Sequence, residues 1–272
     1  MKKHEDFEVG DLIELNKIYN EDCLEGMKRI PDKSVDMILC DLPYGTTACK
    51  WDTIIPFELL WEQYERVIKN NGAIVLTASQ PFTSALVMSN INMYRYNWVY
   101  EKNKSSNFML AKKQPLKNFE DVCVFYKKQP TYNPQMEFVG VKDKRKKINQ
   151  KKKYSELHGS EITSYSHSKD DGWRYPKAVK LFNNADTRNA VHPTQKPVPL
   201  FEYLIKTYTN EGETVLDNCM GSGTTAIACL NTERNFIGFE LNKEYFEIAQ
   251  NRIKERQNEI SLLDVETLEV IE

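Results

Sequence analysis

The sequence has 272 residues, of which 40% are hydrophobic, 28% charged and 11% aromatic. This composition is typical of a folded globular protein and excludes a disordered chain. No apolar run approaches the roughly 18 residues of a membrane helix, and residues 1–10 lack the apolar centre of a signal peptide. We therefore expect a soluble, cytoplasmic protein without a membrane partner, built as one core with an inserted piece.

Cysteine and histidine usage argues against a zinc site. The six cysteines are scattered without a Cys-x-x-Cys pair, and the sequence contains only four histidines. Zinc sites need such ligands at close spacing. We expect reduced, mostly buried thiols and no bound metal.

The net charge of −2 conceals an uneven distribution of charge along the chain. Residues 95–180 contain 20 lysines and arginines against 9 acidic residues, a net charge of +11, so the remainder carries −13. Such a split predicts one basic face for a polyanion on an acidic body. A solvated lysine-rich loop is the alternative explanation.

The first 126 residues alternate between strand and helix patterns. Apolar runs bounded by polar residues predict buried strands, and helical spacing of apolar residues ends at Asn70, Asn71 and Gly72, a helix-stop signal. The predicted strands cover 17–20, 35–40, 73–78, 96–100 and 121–126, and the predicted helices cover 23–30 and 57–69.

Residues 127–184 lose this periodicity and become polar, basic and aromatic, most clearly at 142–153, which indicates an inserted segment. Periodicity then returns. The predicted helices cover 199–208, 224–230 and 244–255, and the predicted strands cover 214–216 and 235–239. Strands that alternate with helices at both ends of the chain predict an α/β, doubly wound sheet interrupted by a smaller basic domain.

The strand at 214–216 leads into a glycine turn and then a helix. Gly221 and Gly223 allow the backbone to approach a ligand closely, and the helix start offers free amides to polar or anionic groups. A Walker phosphate loop is excluded because no lysine follows Gly223. The match to G-x-G-x-x-A, completed by Ala226, leaves open a nicotinamide or flavin dinucleotide site, as well as a purely structural corner.

Two acidic residues bear on the ligand of this turn. Glu240 ends the next strand, 23 residues after Asp217, where a doubly wound fold binds the two hydroxyls of a ribose. Asp217, directly before the turn, would repel a pyrophosphate but suits the ammonium of an amino acid. S-adenosylmethionine has both a ribose and an amino-acid end, whereas NAD has no ammonium. The pattern therefore favours S-adenosylmethionine.

Asp41, Leu42, Pro43 and Tyr44 follow the apolar strand 35–40, at the sheet edge where such folds bind ligands. Methylation of an exocyclic amine needs acceptors for the amino protons, because the nitrogen lone pair is delocalised into the base. Asp41 and the Leu42 carbonyl, aimed by Pro43, supply such acceptors. Tyr44 supplies a ring on which an extruded base can stack. A strand-end turn with a buried tyrosine is the alternative.

Together these segments resemble the amino-group DNA methyltransferases of the β group. In that family the catalytic tetrapeptide, usually Asp-Pro-Pro-Tyr, precedes the target-recognition region, and the cofactor glycine motif comes last. The matching stretches are residues 20–24, 36–45, 72–79, 192–197, 217–225 and 239–240, within roughly 18–253. Leu42 departs from the usual proline, and we expect the chemistry to survive because the group used there is a backbone carbonyl.

The resemblance implies a mostly parallel, seven-stranded Rossmann-like methyltransferase sheet in circularly permuted order. It also implies a catalytic half in residues 1–126, a basic target-recognition insert in 127–184 and a cofactor-binding half in 185–272. By the same resemblance, Asp22 contacts the cofactor adenine and the loop 192–197 lines the methionine end.

Three sets of site residues follow from the motifs, the charge pattern and the resemblance. The catalytic set is Asp41, Leu42, Pro43 and Tyr44. The cofactor set is Asp22, Cys23, Asp41, His192, Thr194, Lys196, Asp217, Met220, Gly221, Ser222, Gly223, Thr224, Thr225, Glu240 and Leu241. The DNA-binding set is Lys102, Lys104, Lys112, Lys113, Lys144, Arg145, Lys146 and Lys147. Further candidates for cofactor or DNA contacts are Thr46, Thr47, Lys50, Trp51 and Asp52.

The resemblance implies an S-adenosylmethionine-dependent enzyme that flips a base out of double-stranded DNA and methylates its amino nitrogen. Adenine N6 is favoured because Asp41 opens the tetrapeptide, whereas family members that act on cytosine N4 often begin it with serine. Cytosine N4 stays open, while the lack of a Pro-Cys nucleophile motif argues against C5 methylation. A dinucleotide-dependent oxidoreductase and a non-catalytic DNA-binding protein also stay open, as do a homodimer and a cognate restriction endonuclease as partners.

Overall fold

The structure, a computed structural model, describes residues 13–47, 49, 52–140, 153–155, 160–162, 172–184 and 195–269, with the backbone alone at 153–155, 160–162 and 263–269. The strands are β1 (Lys17–Tyr19), β2 (Val35–Asp41), β3 (Ile68–Ala78), β4 (Tyr94–Ser106), β5 (Lys117–Phe125), β6 (Glu137–Phe138), β7 (Lys153–Ser155), β8 (Ser160–Ile162), β9 (Trp173–Arg174), β10 (Val179–Phe182), β11 (Thr214–Asp217) and β12 (Asn235–Phe239). The helices are α1 (Cys23–Met27), α2 (Phe57–Val67), α3 (Phe82–Ser89), α4 (Val198–Tyr208), α5 (Thr224–Asn231) and α6 (Lys243–Glu269), and a short 3-10 helix spans Phe108–Leu110.

Among the described residues, eight strands form the main sheet, in the order β1-β12-β11-β2-β3-β5-β4-β10. All run in the same direction except β5, which is antiparallel to both of its neighbours. This arrangement confirms the α/β class and the mostly parallel sheet, but the sheet has eight strands where seven were predicted. The additional strand is β10, which pairs parallel with β4.

Apolar side chains are buried on both faces of the sheet. Along β3, Ala73 and Val75 pack into a cluster with residues of α4, α5 and α6. Ile74 and Leu76 pack into a second cluster with residues of α1, α2 and α3. Because successive strand side chains point to opposite faces, a strand buried on both sides needs a nearly continuous apolar sequence. This explains the uninterrupted apolar runs of the central strands.

The chain divides into two compact units, one formed by Met1–Asn133 with Ala178–Glu272 and the other by Pro134–Lys177. The second unit spans fewer residues than the predicted insert, 127–184. On the amino side, the Asn133 backbone N–H donates to the Thr207 carbonyl of α4 at 2.8 Å. On the carboxyl side, β10 belongs to the main sheet. Within the second unit, β6 pairs with β9 and β7 pairs with β8.

Several elements differ from the sequence predictions, most clearly α2, β3 and α3. Helix α2 ends at Val67 because Ile68 already has an extended backbone, with φ −70° and ψ 136°. Strand β3 starts at Ile68, so Asn70 and Asn71 lie inside a strand rather than at a helix end. Helix α3 was not predicted, and its amino end lacks a side-chain cap that would have signalled it.

Helix α6 is 27 residues long and packs against the sheet through Ala249 and Ile253. Its remaining surface is rich in charged residues. Within the part of the chain that the structure describes, no helix combines the length and the hydropathy required to cross a membrane.

The contact between α1 and β12 is too close for a side chain at Gly26. An alanine Cβ there would lie 2.2 Å from Cε1 of Phe239. We expect Gly26→Ala to lower the free energy of unfolding by about 1–3 kcal/mol, because overpacking outweighs the roughly 1 kcal/mol by which alanine favours a helix. Urea denaturation measures the change. Gln257→Ala, at an exposed position of α6, is the control, and a Gly26→Ala protein as stable as wild type would contradict the prediction.

Candidate active site

A cavity of about 920 Å³ lies where β2, β11 and β12 end. Its walls include the tetrapeptide after β2, the glycine turn after β11 and Glu240 after β12. These strands are parallel neighbours, so their carboxyl ends meet at one edge of the sheet. Asp41 and Asp217 therefore lie in one cavity, although they are far apart in the sequence.

Glycine is required at two positions of the turn. Gly221 and Gly223 have φ angles of +56° and +85°, in the left-handed region that side chains disfavour. At Gly223 a Cβ would also lie 3.3 Å from the Cα of Ala249 on α6. From the same helix, the Arg252 guanidinium donates to the carbonyl and the hydroxyl of Ser222. Helix α6 thus holds the turn in place.

The Glu240 carboxylate ties the glycine turn to the end of β12. It accepts hydrogen bonds from the backbone N–H groups of Gly221 (2.7 Å) and Asn242 (2.8 Å). Burial raises the pKa of Glu240, and the two bonds oppose this rise. A carboxylate offers about four lone-pair sites, so Glu240 keeps the capacity to accept bonds from two ribose hydroxyls.

Asp217 is only 2% exposed and faces the cavity from the end of β11. Its carboxylate accepts hydrogen bonds from the Cys219 backbone N–H (3.0 Å) and from the Thr225 hydroxyl. Burial raises the pKa of Asp217 to about 6, although these bonds favour the ionised form. A cationic ligand stabilises the ionised form of a buried carboxylate whose pKa is raised by burial. The ammonium of S-adenosylmethionine is such a cation.

Asp22 caps helix α1 and lines the same cavity. Its Oδ1 accepts hydrogen bonds from the backbone N–H groups of Leu24 (2.8 Å) and Glu25 (3.3 Å). These bonds hold the carboxylate at the cavity. The other predicted cofactor residues on the wall are Cys23, Met220, Ser222, Thr224, Thr225 and Leu241, while Gly223 packs against α6 instead.

Hydroxyl groups fix one oxygen of the Asp41 carboxylate. The Tyr44 hydroxyl lies 2.8 Å from Asp41 Oδ1 and 2.9 Å from Thr77 Oγ1, and the Thr77 hydroxyl donates to the same Asp41 oxygen. Burial and the neighbouring Asp41 raise the pKa of Tyr44, so its hydroxyl stays a proton donor. Asp41 Oδ1 is therefore occupied by protein hydrogen bonds.

The ammonium group of Lys196 binds the other oxygen of the Asp41 carboxylate. The Lys196 Nζ lies 2.6 Å from Asp41 Oδ2 and 3.2 Å from Glu120 Oε2. Lys102 pairs with the second oxygen of Glu120. Lys196 also lines the cavity, so its predicted contact with the cofactor stays a prediction beside these two ion pairs.

The charged groups of this cluster shift the pKa values of Lys196 and Glu120 in favour of their ionised forms. Burial alone would lower the pKa of Lys196, but Asp41 and Glu120 raise it above its ordinary value. Burial alone would raise the pKa of Glu120, but Lys196 and Lys102 lower it. Lys196 and Glu120 are therefore ionised at neutral pH, and each of these two buried charges has a partner of opposite sign.

The rest of the tetrapeptide is packed into the protein. Leu42 is 3% exposed and belongs to the second apolar cluster, which explains why an apolar residue replaces the usual proline. The ring of Tyr44 stacks on Phe82, with 5.2 Å between centroids, and the Lys196 Nζ lies 5.6 Å from the Tyr44 centroid. Stacking of a flipped base on Tyr44 stays a prediction.

The loop after the tetrapeptide is held by Asp52. Its carboxylate accepts hydrogen bonds from the backbone N–H groups of Gly45 (2.8 Å), Thr46 (2.9 Å) and Thr47 (2.7 Å). Burial alone would raise the pKa of Asp52, but these bonds lower it. Asp52 therefore supports the loop, and Thr46 and Thr47 present their side of it to the cavity.

The predicted DNA-binding lysines fall into different environments. Lys104, Lys112 and Lys113 are exposed. Lys102 is paired with Glu120 in the cavity wall, and its predicted contact with DNA phosphates stays a prediction. The residues of the predicted sets that lie outside the described part of the chain are Lys144, Arg145, Lys146, Lys147, His192 and Thr194, together with Lys50 and Trp51.

Glu120 was absent from every predicted set, although the sequence contains a signal for it. Val122 and Val124 lie on the same face of β5 and belong to the first apolar cluster. The period of two therefore placed Glu120 on a buried face. A charged residue at such a position is rare unless it is paired, so it indicates an internal ion pair. Its partner could not be identified from local pattern.

Residues 35–251 match the family model described as DNA methylase, which comprises N6 and N4 amino-group methyltransferases. The chain belongs to this family. The match contains the tetrapeptide, the glycine turn and Glu240. The protein is therefore a DNA methyltransferase, and the oxidoreductase and non-catalytic interpretations were wrong.

Several bacterial DNA methyltransferases are similar to this chain. DNA adenine methyltransferase YhdJ of Escherichia coli (strain K12) is 30% identical over 256 residues, which cover 88% of this chain and 83% of YhdJ. The type II methyltransferase M.BglII of Bacillus subtilis is 29% identical over 258 residues, which cover 86% of this chain and 68% of M.BglII.

Solved methyltransferases share the fold. The M1.HpyAVI–SAM complex has a TM-score of 0.60 at 25% identity and covers 87% of this chain and 98% of its own. The PvuII cytosine-N4-specific enzyme has a TM-score of 0.62 at 14% identity and covers 92% and 93%, which supports the fold alone. Enzymes of this family use S-adenosylmethionine, which confirms the predicted cofactor.

The buried Asp217 should make stability depend on pH. Its pKa is about 6 in the folded protein and 3.8 in its unperturbed state, so between these values the unfolded chain releases a proton that the folded protein keeps. Stability contributed by this group therefore falls as the pH rises from about 4 to 6 and is constant above. We expect wild type to lose about 3 kcal/mol relative to Asp217→Asn between pH 4 and pH 7.

Urea denaturation at a series of pH values measures this difference. The exposed Glu62→Gln on α2 is the control and should follow wild type over the whole range. A gap between wild type and Asp217→Asn that does not change with pH would show that Asp217 has no raised pKa.

Proposed function

We propose that this methyltransferase transfers the methyl group of S-adenosylmethionine to N6 of an adenine that it flips out of duplex DNA. The position of Asp41 carries the proposal. Asp41 ends β2 inside a cavity whose other walls are the glycine turn and Glu240. An amine held at Asp41 and a cofactor held at the turn would share that cavity, which gives the proximity that methyl transfer needs.

Two observations favour adenine over cytosine. The tetrapeptide opens with Asp41 rather than serine, and YhdJ, at 30% identity, is described as a DNA adenine methyltransferase. Cytosine N4 is the second candidate, because its exocyclic amine makes the same demand for hydrogen-bond acceptors.

The cofactor supplies an electrophilic methyl carbon attached to a positively charged sulfur. The residues that fit its parts are Asp22 for the adenine, Glu240 for the ribose hydroxyls and Asp217 for the ammonium. A cation beside Asp217 would lower the pKa of that carboxyl again and remove the penalty of its burial.

The target amine must be held, and it must lose a proton as it gains a methyl group. Tyr44 and Thr77 already occupy Asp41 Oδ1, so Oδ2 is the oxygen that would accept an amino N–H. Bound S-adenosylmethionine would supply the methyl group to the nitrogen lone pair and would keep the C–S electron pair on its sulfur. The surplus proton of the amine passes to Asp41 and then to solvent.

In this proposal Lys196 moves from Asp41 Oδ2 toward Glu120 when the amine binds, because a carboxylate paired with an ammonium accepts a proton poorly. Glu120 keeps the ammonium paired after that movement, since its Oε2 is already 3.2 Å away. An unpaired buried ammonium would cost several kcal/mol. Glu120 is therefore a positioning residue, which acts on the reaction through Lys196.

Duplex DNA in the cytoplasm is the proposed substrate. The unit Pro134–Lys177, which interrupts the methyltransferase unit, is the proposed target-recognition region. A cognate restriction endonuclease and a homodimer stay predictions. The type II methyltransferases among the relatives make the endonuclease a specific partner to look for beside the coding sequence.

Sequencing of modified bases tests the proposed function. The protein is expressed in a host that lacks DNA methylation, with Asp41→Ala as the inactive control. We expect N6-methyladenine within one short sequence, absent from the control. N4-methylcytosine instead would establish the second candidate, and unmodified DNA would contradict both.

The two halves of the cavity should respond differently to substitution. We expect Asp41→Ala to lower kcat by about 10²–10⁴-fold, the usual effect of removing a proton acceptor, with S-adenosylhomocysteine affinity within about threefold of wild type. Glu240→Ala should weaken that affinity by about 10–100-fold, because it removes a charged hydrogen-bond acceptor. Calorimetry and a methyl-transfer assay separate the two effects. Near-normal turnover by Asp41→Ala would end its catalytic assignment.

Substitution of Glu120 should lower the rate of methyl transfer and leave the affinity for the cofactor unchanged. In Glu120→Gln, Lys196 keeps Asp41 as its charged partner, so we expect kcat to fall about tenfold with cofactor affinity unchanged, since one tenfold step corresponds to about 1.4 kcal/mol. Glu120→Asp should restore part of the rate because it restores the charge. Glu101→Gln on the neighbouring strand β4 is the control. Equal loss in the Asp and Gln variants would indicate a packing role only.

A further inference from the structure

The hairpin of β4 and β5 extends past the sheet edge that holds the active site. Strand β3 stops at Ala78, which is opposite Asp121 of β5. The β4–β5 pairing continues outward to Ser106 and Lys117. The hairpin therefore projects by about four residues, or roughly 13 Å, on the side where Asp41 ends β2.

The base of this hairpin is part of the cavity wall. Lys102, Lys117 and Glu120 all line the cavity. The Lys117 ammonium donates to the hydroxyl of Ser79, just after β3. The hairpin therefore extends from the wall of the cavity that is proposed to receive the target base.

The tip itself is a hydrogen-bonded turn that presents apolar side chains outward. Asn107 has a φ of +64° and starts the 3-10 helix Phe108–Leu110. The N–H of Leu110 donates to the Asn107 carbonyl (2.9 Å), and the N–H of Lys113 donates to the Leu110 carbonyl (2.8 Å). Met109 is 99% exposed and Phe108 is 68% exposed. Apolar groups displayed in this way indicate a contact surface.

The charge around the tip specifies the partner. Lys104, Lys112 and Lys113 are exposed beside it. No acidic residue occurs between Lys102 and Lys117 in the sequence. An apolar tip whose own segment carries only positive charge is complementary to stacked bases flanked by phosphates.

We propose that Phe108 and Met109 form a wedge that enters the DNA duplex and opens it for base flipping. The wedge unstacks the target base pair and fills the space that the flipped base leaves. The three exposed lysines hold the flanking phosphates. This inference rests on the proposed function and adds the element that delivers the base to Asp41.

A substrate that is already unpaired separates this role from general DNA binding. The variant Phe108→Ser/Met109→Ser is compared with wild type on two duplexes that carry the methylated sequence. In one the target base is paired, and in the other it lies opposite an abasic site. Met88→Ser is the matched control, because Met88 is 69% exposed on α3 and does not line the cavity.

We expect the wedge variant to lose about 10–100-fold in kcat/KM on the paired duplex, since unstacking a base step costs a few kcal/mol. On the abasic duplex it should stay within about threefold of wild type. Equal loss on both duplexes, or no loss on the paired one, would overturn the wedge. A change in sedimentation of the variant would instead assign the tip to contacts between copies of this chain. Wild type inactive on both duplexes would contradict the proposed function itself, and the wedge with it.

The lysines are tested by salt dependence. Lys112→Gln/Lys113→Gln should weaken binding to both duplexes alike and reduce the log-log salt slope by roughly two units, about one for each phosphate contact. The wedge variant should leave that slope unchanged. An unchanged slope in the lysine variant would overturn the assignment of the phosphates to this turn.

Discussion

The catalytic half of the cavity depends on a buried ammonium shared by two carboxylates. Lys196 lies just before α4, Asp41 ends β2 and Glu120 lies on β5, and the Nζ of Lys196 is 2.6 Å from one carboxylate and 3.2 Å from the other. A buried charge is stable only when paired, and removal of one partner leaves the other exposed to the full penalty. The pairing therefore fixes the orientation of the Asp41 carboxylate in the cavity and places the ammonium at its second oxygen.

The carboxylates on the proposed cofactor side of the cavity are held differently. They accept hydrogen bonds from backbone N–H groups and have no ammonium partner in the described part of the chain. Glu240 holds Gly221, Asp217 holds Cys219 and Asp22 caps α1. Each acid thus fixes a loop of the cavity while contributing negative charge to it. Burial raises the pKa of both Glu240 and Asp217. This electrostatic state matches a cofactor that carries a positively charged sulfur and an ammonium.

The uneven distribution of charge along the sequence suits two ligands of opposite charge. The acidic part of the chain supplies the walls that suit a cationic cofactor, and the basic residues 95–180 suit a polyanion. The basic stretch is not confined to an insert, however. Lys104, Lys112 and Lys113 belong to the β4–β5 hairpin of the methyltransferase unit, whereas Pro134–Lys177 forms a unit of its own. DNA contacts are therefore expected from two separate parts of the chain.

The sequence by itself determined the α/β class, the central strands and the two motifs, because burial on both faces of a strand and glycine turns leave patterns within a few residues. Asp41, Asp217 and Glu240 could be singled out for the same reason, since each lies at the end of a strand or directly after it. Only the tertiary structure decided that Lys196 pairs with Asp41 and Glu120, and that β10 joins the main sheet beside β4. Both outcomes depend on the order of strands in the sheet, which no local periodicity specifies, because side chains distant in sequence meet only after the sheet has formed.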